Sequence, residues 1–214
     1  MKETKTNFLR LAIDSKVLQF GEFTLKSGRK SPYFFNAGLF NTGRAIAKLG
    51  RHYADTIVSS NIEFDMLFGP AYKGITLASA TASALSDKYD IDKPFAFNRK
   101  ESKAHGEGGC VVGANLKGRV LIIDDVITAG TAVREAYDLI ISEGASVAGL
   151  VISMDRQERG KSKISATGEL EQELNSPVMS IASLEDLIFF IKKDENLKSH
   201  LPNLIEYHSK YSSL

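Results

Sequence analysis

The chain has 214 residues, 43% of them hydrophobic, with 27 basic and 26 acidic side chains and one cysteine, Cys110. That length suits one domain with a full core, and the balanced charge gives no electrostatic case for a nucleic-acid or membrane partner. A lone cysteine excludes an internal disulfide, no apolar run reaches the length of a membrane span, and the charged start leads into an amphipathic segment rather than a signal sequence, so a cytoplasmic location is expected.

In chain order, Phe8, Leu11 and Ala12 share one face of a short helix over residues 7–16. Residues 22–36 read as a hairpin turning at Ser27 and Gly28. Ile46, Leu49, Tyr53 and Ile57 recur at helical spacing over 42–60. Strands then alternate with helices: a strand at 64–68, a helix after Gly74, strands at 95–98 and 120–123, a helix at 132–143 closed by Gly144, and a strand at 147–153. A further helix runs over 183–193, capped by Ser183 with Asp186 in its first turn. The alternation argues for an α/β fold with a parallel sheet and right-handed crossovers. Residues 100–109 are charged, glycine-rich and aperiodic, and read as an exposed, mobile loop.

The segment Val120-Leu-Ile-Ile-Asp-Asp-Val-Ile-Thr-Ala-Gly-Thr-Ala132 carries the chemistry. Its four apolar residues read as a strand buried on both faces. Asp124 and Asp125 stand at the strand's C-terminal end, where open α/β sheets bind ligands. The small residues that follow enter a helix N-terminus, whose N–H groups and positive dipole end suit a phosphate monoester. The paired acids add acceptors for a polyhydroxyl group such as a ribose diol. An ordinary strand–turn–helix with one capping Asp or Thr is the plainer alternative, but it does not call for two adjacent acids, two hydroxyls and a glycine. A nucleotide P-loop fails at Gly160-Lys161-Ser162, because Asp155 stands where the first glycine belongs and bulky side chains follow it. No nucleophile elbow, HExxH or Cys/His cluster is visible.

The acid-acid-Val-x-Thr-x-Gly-Thr run resembles the phosphoribosyl-diphosphate (PRPP) loop of type I phosphoribosyltransferases. Four more segments resemble the bacterial orotate phosphoribosyltransferases in particular: the hairpin Phe20 to Asn36, Phe68-Gly-Pro-Ala-Tyr-Lys-Gly74, Asn98-Arg-Lys100 with His105-Gly106, and Asp155-Arg-Gln-Glu-Arg159. The resemblance implies the type I phosphoribosyltransferase fold: an open parallel sheet flanked by helices, with a small N-terminal hood containing the hairpin. One domain over 1–214 is expected, its hood formed by about 1–40 and part of the C-terminus, its mobile lid by about 99–110.

By the same resemblance, the reaction is transfer of the phosphoribosyl group from PRPP to orotate, giving orotidine 5′-monophosphate and pyrophosphate in pyrimidine biosynthesis, with Mg²⁺ carried mainly by PRPP and water. Asp124 and Asp125 are implied as ribose binders, and Val126, Ile127, Thr128, Ala129, Gly130, Thr131 and Ala132 as the wrap around the 5′-phosphate. Lys26, Tyr72, Lys73, Arg99, Lys100, Lys103 and His105 are implied as further PRPP contacts, with Lys73 and Lys103 joining the acid pair as catalytic residues. Phe34, Phe35, Thr128 and Arg156 are implied at the orotate. Adjacent strand residues face opposite ways, so one of the two phenylalanines is expected at the base and the other in the core. The lid is implied to cross into a partner's site, hence a homodimer. Two rivals remain: a purine or uracil phosphoribosyltransferase, and a regulatory nucleic-acid-binding protein on the same fold, for which a basic face would be expected.

Overall fold

The computed structural model of the protein describes residues 3–25, 27–103, 109–128, 130–160 and 164–212, with only the backbone described at 101–103 and 109. Five strands, β3 (Met66–Gly69), β4 (Phe95–Lys103), β6 (Arg119–Asp124), β7 (Ser146–Asp155) and β8 (Val178–Ser183), run parallel in one sheet. β5 (Gly109–Gly113) joins its edge antiparallel to β4, and the spatial order is β5-β4-β3-β6-β7-β8. Val120 to Ile123 are fully buried, as a central strand covered on both faces requires.

Alternate strand residues feed two cores. Leu67, Leu121, Ile123, Val151 and Ile181 face a larger core shared with α1 (Glu3–Asp14), α2 (Gly43–Ser60), α3 (Lys73–Tyr89), α6 (Leu184–Lys192) and α7 (Leu201–Tyr211). Met66, Phe68, Val120, Ile122 and Ile152 face a smaller one with α4 (Thr131–Ser142) and α5 (Ala166–Leu174). The period-2 switch between faces is the pleat itself. Outside this sheet, β1 (Leu18–Thr24) and β2 (Lys30–Phe35) form an antiparallel hairpin with a register shift between Phe20 and Phe23.

Local chemistry fixes several boundaries. The Thr42 side chain accepts from the Ala45 N–H at the start of α2, and Ser183 and Asp186 form a reciprocal capping box on α6. The first helix begins at Glu3, earlier than the apolar spacing suggests, because its first turn is polar, with Glu3 exposed and residues 4–6 half-buried. The segment 100–109 departs further from expectation: β4 continues to Lys103 and pairs with Gly109. Charged residues can sit in a ribbon whose backbone is paired while its side chains are solvated, so the lack of an apolar period there says nothing about backbone pairing. The sequence reading also passed over β5, α5, β8 and α7.

Candidate active site

Because β3, β6 and β7 are parallel, their C-terminal ends bring three loops to one edge. β6 ends in the acid pair. Asp124 is 9% exposed and Asp125 6%, and the Asp125 N–H donates to Asp124 Oδ1 at 2.9 Å. Lys73, the first residue of α3, reaches across from the β3 loop and places Nζ 2.6 Å from Asp125 Oδ2. Among the described residues Asp124 has no such cation in contact; burial first, and the neighbouring Asp125 charge second, push its carboxyl up to about 7. Behind the pair, Tyr53 of α2 donates to the Asp124 carbonyl at 2.7 Å and lies 2.5 Å from the Ser153 hydroxyl of β7. The Ser153 N–H donates to the Asp125 carbonyl at 2.8 Å. The backbone of both acids is thus braced from two different elements.

The loop after β3 packs against the same edge. A Cβ on Gly69 would stand 2.0 Å from the Gly74 carbonyl oxygen, and one on Gly74 would stand 2.9 Å from that of Ile123. Both positions need glycine because backbone meets backbone, a reason separate from any approach to an anion. The Ala71–Tyr72 peptide is cis, and the Ala71 N–H donates to Asn98 Oδ1 of β4 at 2.7 Å. Tyr72 is exposed, with Lys100 Nζ 5.2 Å from its ring centroid. Arg99 is half-buried beside it on β4.

After β6 the chain passes half-buried Val126, buried Ile127 and exposed Thr128 to Gly130, whose φ of 72° is left-handed. Among the described residues no side chain caps α4, so a capping Asp or Thr does not account for the motif. Thr131 and Ala132 open α4 at its exposed end. Ala129 lies outside the described residues.

Beyond β7, Arg156 sits in a second polar cluster, its side chain 10% exposed. Its Nε donates to Glu158 Oε1 at 2.7 Å, and its Nη2 to Ser31 Oγ and Tyr207 Oη, both at 3.2 Å. The guanidinium lies 4.4 Å over the Tyr33 ring. Burial and the hydrogen bond to Glu158 push the Tyr207 hydroxyl up to about 12, so it is a neutral donor at physiological pH. On the adjoining strand Phe34 is 38% exposed and stacked on Phe23, whereas Phe35 is buried against Phe8. Phe34 therefore offers an open ring face, and Phe35 is a core residue.

The structure brings Lys73, Asp124 and Asp125 into contact, sets Tyr72 and Lys100 against each other, and joins Arg156 to the hairpin. Lys26, His105 and the lysine of the false P-loop lie outside the described residues, and of Lys103 only the backbone is described. Sequence reasoning missed Tyr53, Ser153, Glu158 and Tyr207. Tyr53 falls on an apolar helical face, where its hydroxyl gives no signal, and Tyr207 is 51 residues from Arg156 in the chain.

A phosphoribosyl transferase domain model matches residues 38–174. The chain is 59% identical over 211 residues to the orotate phosphoribosyltransferase of Pseudomonas syringae pv. tomato, and 56% identical to that of Shigella sonnei, each match covering 99% of both chains. The crystal structure of the Francisella tularensis orotate phosphoribosyltransferase superposes with a TM-score of 0.86 at 47% identity, over 97% of this chain and 100% of that one. Sheet order, hairpin and acid-pair loop are thus accompanied by similarity along the whole chain, and this protein belongs to the phosphoribosyltransferase family, among the orotate phosphoribosyltransferases.

Proposed function

We propose that this protein transfers the phosphoribosyl group of PRPP to orotate, forming orotidine 5′-monophosphate and pyrophosphate. The observation that carries the reading is the buried acid pair at the end of β6, with Lys73 on one side and the uncapped start of α4 beyond it. Asp124 and Asp125 accept hydrogen bonds from the ribose hydroxyls. Residues 126–132 wrap the 5′-phosphate, which takes the first N–H groups and the dipole of α4. As the C1–O bond breaks, positive charge grows on the ribose and negative charge on the diphosphate. Carboxylates beside the sugar and cations beside the leaving group lower that barrier electrostatically, with no covalent nucleophile. Lys73, Tyr72, Arg99 and Lys100 serve the leaving-group side, and Lys26, Lys103 and His105, whose side chains lie outside the described residues, are assigned to the same diphosphate by their place in the motifs.

Among the described residues no group of three His, Cys, Asp or Glu side chains could cage a metal. The donor set that exists, two adjacent carboxylates at a phosphate-binding edge, fits Mg²⁺ arriving with its substrate and keeping phosphate oxygens and water. Asp124 and Asp125 are the side chains that would face it, and the ion would neutralise charge on the diphosphate. At the base, Phe34 offers a ring face, Thr128 a hydroxyl, and Arg156 a guanidinium for the orotate carboxylate; Phe35 supports the strand from the core. The chain forms one catalytic domain hooded by the hairpin and α7. The 99–110 segment acts as a lid that excludes water and serves the partner subunit of a homodimer in the cytoplasm. No helix among the described residues is long and apolar enough to cross a membrane.

The test is orotate consumption followed by its ultraviolet absorbance, with PRPP and Mg²⁺ omitted in turn. Loss of orotate that requires both, with stoichiometric pyrophosphate, is expected. Turnover unaffected by removing PRPP would overturn the reading.

A further inference from the structure

Arg156 does not stand alone: its partners come from three separate parts of the chain. Glu158 accepts from Arg156 through Oε1 and from Arg29 Nη1, on the hairpin, through Oε2 at 3.1 Å. Two guanidiniums sharing one carboxylate leave that triad one positive charge in surplus. Tyr207 of α7 closes it, donating to Glu158 Oε1 at 2.6 Å while accepting from Arg156 Nη2. Asp155, the nearby acid, accepts instead from the Gln157 N–H of its own loop and from Thr167 of α5.

The C-terminal helix is bound to this cluster along its last turns. The Tyr207 ring meets Tyr33 edge-on at 6.1 Å, the Arg159 N–H donates to the Tyr211 carbonyl at 2.8 Å, and Arg29 Nη2 donates to the Arg159 carbonyl at 3.1 Å. Ser212 bridges to Glu158. Nε of Arg156 is committed to Glu158 and Nη2 to Ser31 and Tyr207, which leaves Nη1 to meet a carboxylate, so its value depends on the orientation in which the guanidinium is held. Here Tyr33 sets the plane, and Glu158 and Tyr207 set the rotation within it.

We propose that Tyr207 and Glu158 are positioning residues for base recognition, holding Arg156 in place for the substrate's carboxylate, so that the C-terminal helix helps set specificity for an acidic base. The proposal rests on Arg156 as the partner of the orotate carboxylate. Glu158 fixes Arg156 without cancelling the cluster's charge, because Arg29 shares it.

The test is a double-mutant cycle with Tyr207→Phe and Arg156→Ala. Phenylalanine keeps the ring and removes only the hydroxyl between Arg156 and Glu158. Loss of a hydrogen bond to charged groups should lower kcat/KM for orotate about tenfold, chiefly through KM. The PRPP dissociation constant should stay within about twofold, and in the Arg156→Ala background the same change should alter orotate kinetics by less than about twofold, because its route is already gone. An equal loss in both backgrounds would mean that Tyr207 serves packing alone, and overturns the proposal. So does a Tyr207→Phe enzyme with unchanged orotate kinetics beside an impaired Arg156→Ala enzyme, a result that leaves the base reading intact. Unimpaired orotate kinetics in Arg156→Ala would overturn the base reading, and the proposal with it.

Discussion

Asp124 closes a strand of fully buried apolar residues, and a carboxyl there resists ionisation. Raised to about 7, it holds a proton in the folded protein that the unfolded chain has already released at lower pH. Its contribution to stability is therefore complete below the ordinary carboxylate range and is lost as pH rises through about 7. Asp124→Asn is neutral at every pH and keeps an acceptor for the Asp125 N–H. Without substrate it should raise Tm at pH 8 by roughly 3–8 °C, with the gain shrinking toward pH 5, while activity falls. Differential scanning calorimetry across that range decides it, and no gain at pH 8 would contradict the buried, proton-holding carboxyl. The acid pair itself was legible in sequence because adjacent acids after an apolar run are unusual. The brace beneath it was not: Tyr53 and Ser153 are 100 residues apart and each reads as ordinary core or strand. Strand alternation foresaw that Phe34 and Phe35 would divide between surface and core, but not which ring was which.

Among the elements, the long periodic ones were read to within a few residues, as with α2, α4 and β7, since their burial is one-sided or continuous and marks the sequence strongly. The passed-over elements draw their stability from neighbours. β5 begins at a glycine and, among the described residues, pairs with β4 alone, and α7 opens on the run Leu-Pro-Asn, which resembles a loop until Leu204 and Tyr207 are seen buried. The turn from β3 into α3 is the tightest joint near the site, and Gly74 is its centre. Its missing Cβ would meet backbone of Gly69 at 2.8 Å and of Ile123 at 2.9 Å, and neither can move without shifting a central strand. Gly74→Ala should therefore cost about 1–3 kcal/mol by overpacking, a Tm loss of roughly 2–12 °C, and should weaken PRPP binding because Lys73 moves with it. Thermal unfolding and PRPP titration check this together; an unchanged Tm would show that the joint has slack.

At the scale of the whole molecule, the parallel sheet gathers the acid pair, the Tyr72–Lys73 loop and Arg156 at one edge, as the alternation of strands and helices foretold. The β4–β5 ribbon extends beyond that edge, with Lys103 paired through its backbone to Gly109. A lid shared between two subunits predicts complementation. Subunits carrying Lys103→Ala, mixed with subunits carrying both Asp124→Asn and Asp125→Asn, should regain about one quarter of wild-type activity, since half the dimers are mixed and one site in each is complete. No recovery after verified subunit exchange would place each lid over its own site. The central claim is the choice of base, and a buried, charge-paired arginine discriminates strongly against a base that lacks the carboxylate. Initial rates at saturating PRPP and Mg²⁺ should therefore be compared for orotate, uracil, hypoxanthine and adenine. Turnover of orotate, with the other three slower by about a thousandfold or more, is the expected result; turnover of uracil or a purine with none of orotate would contradict it.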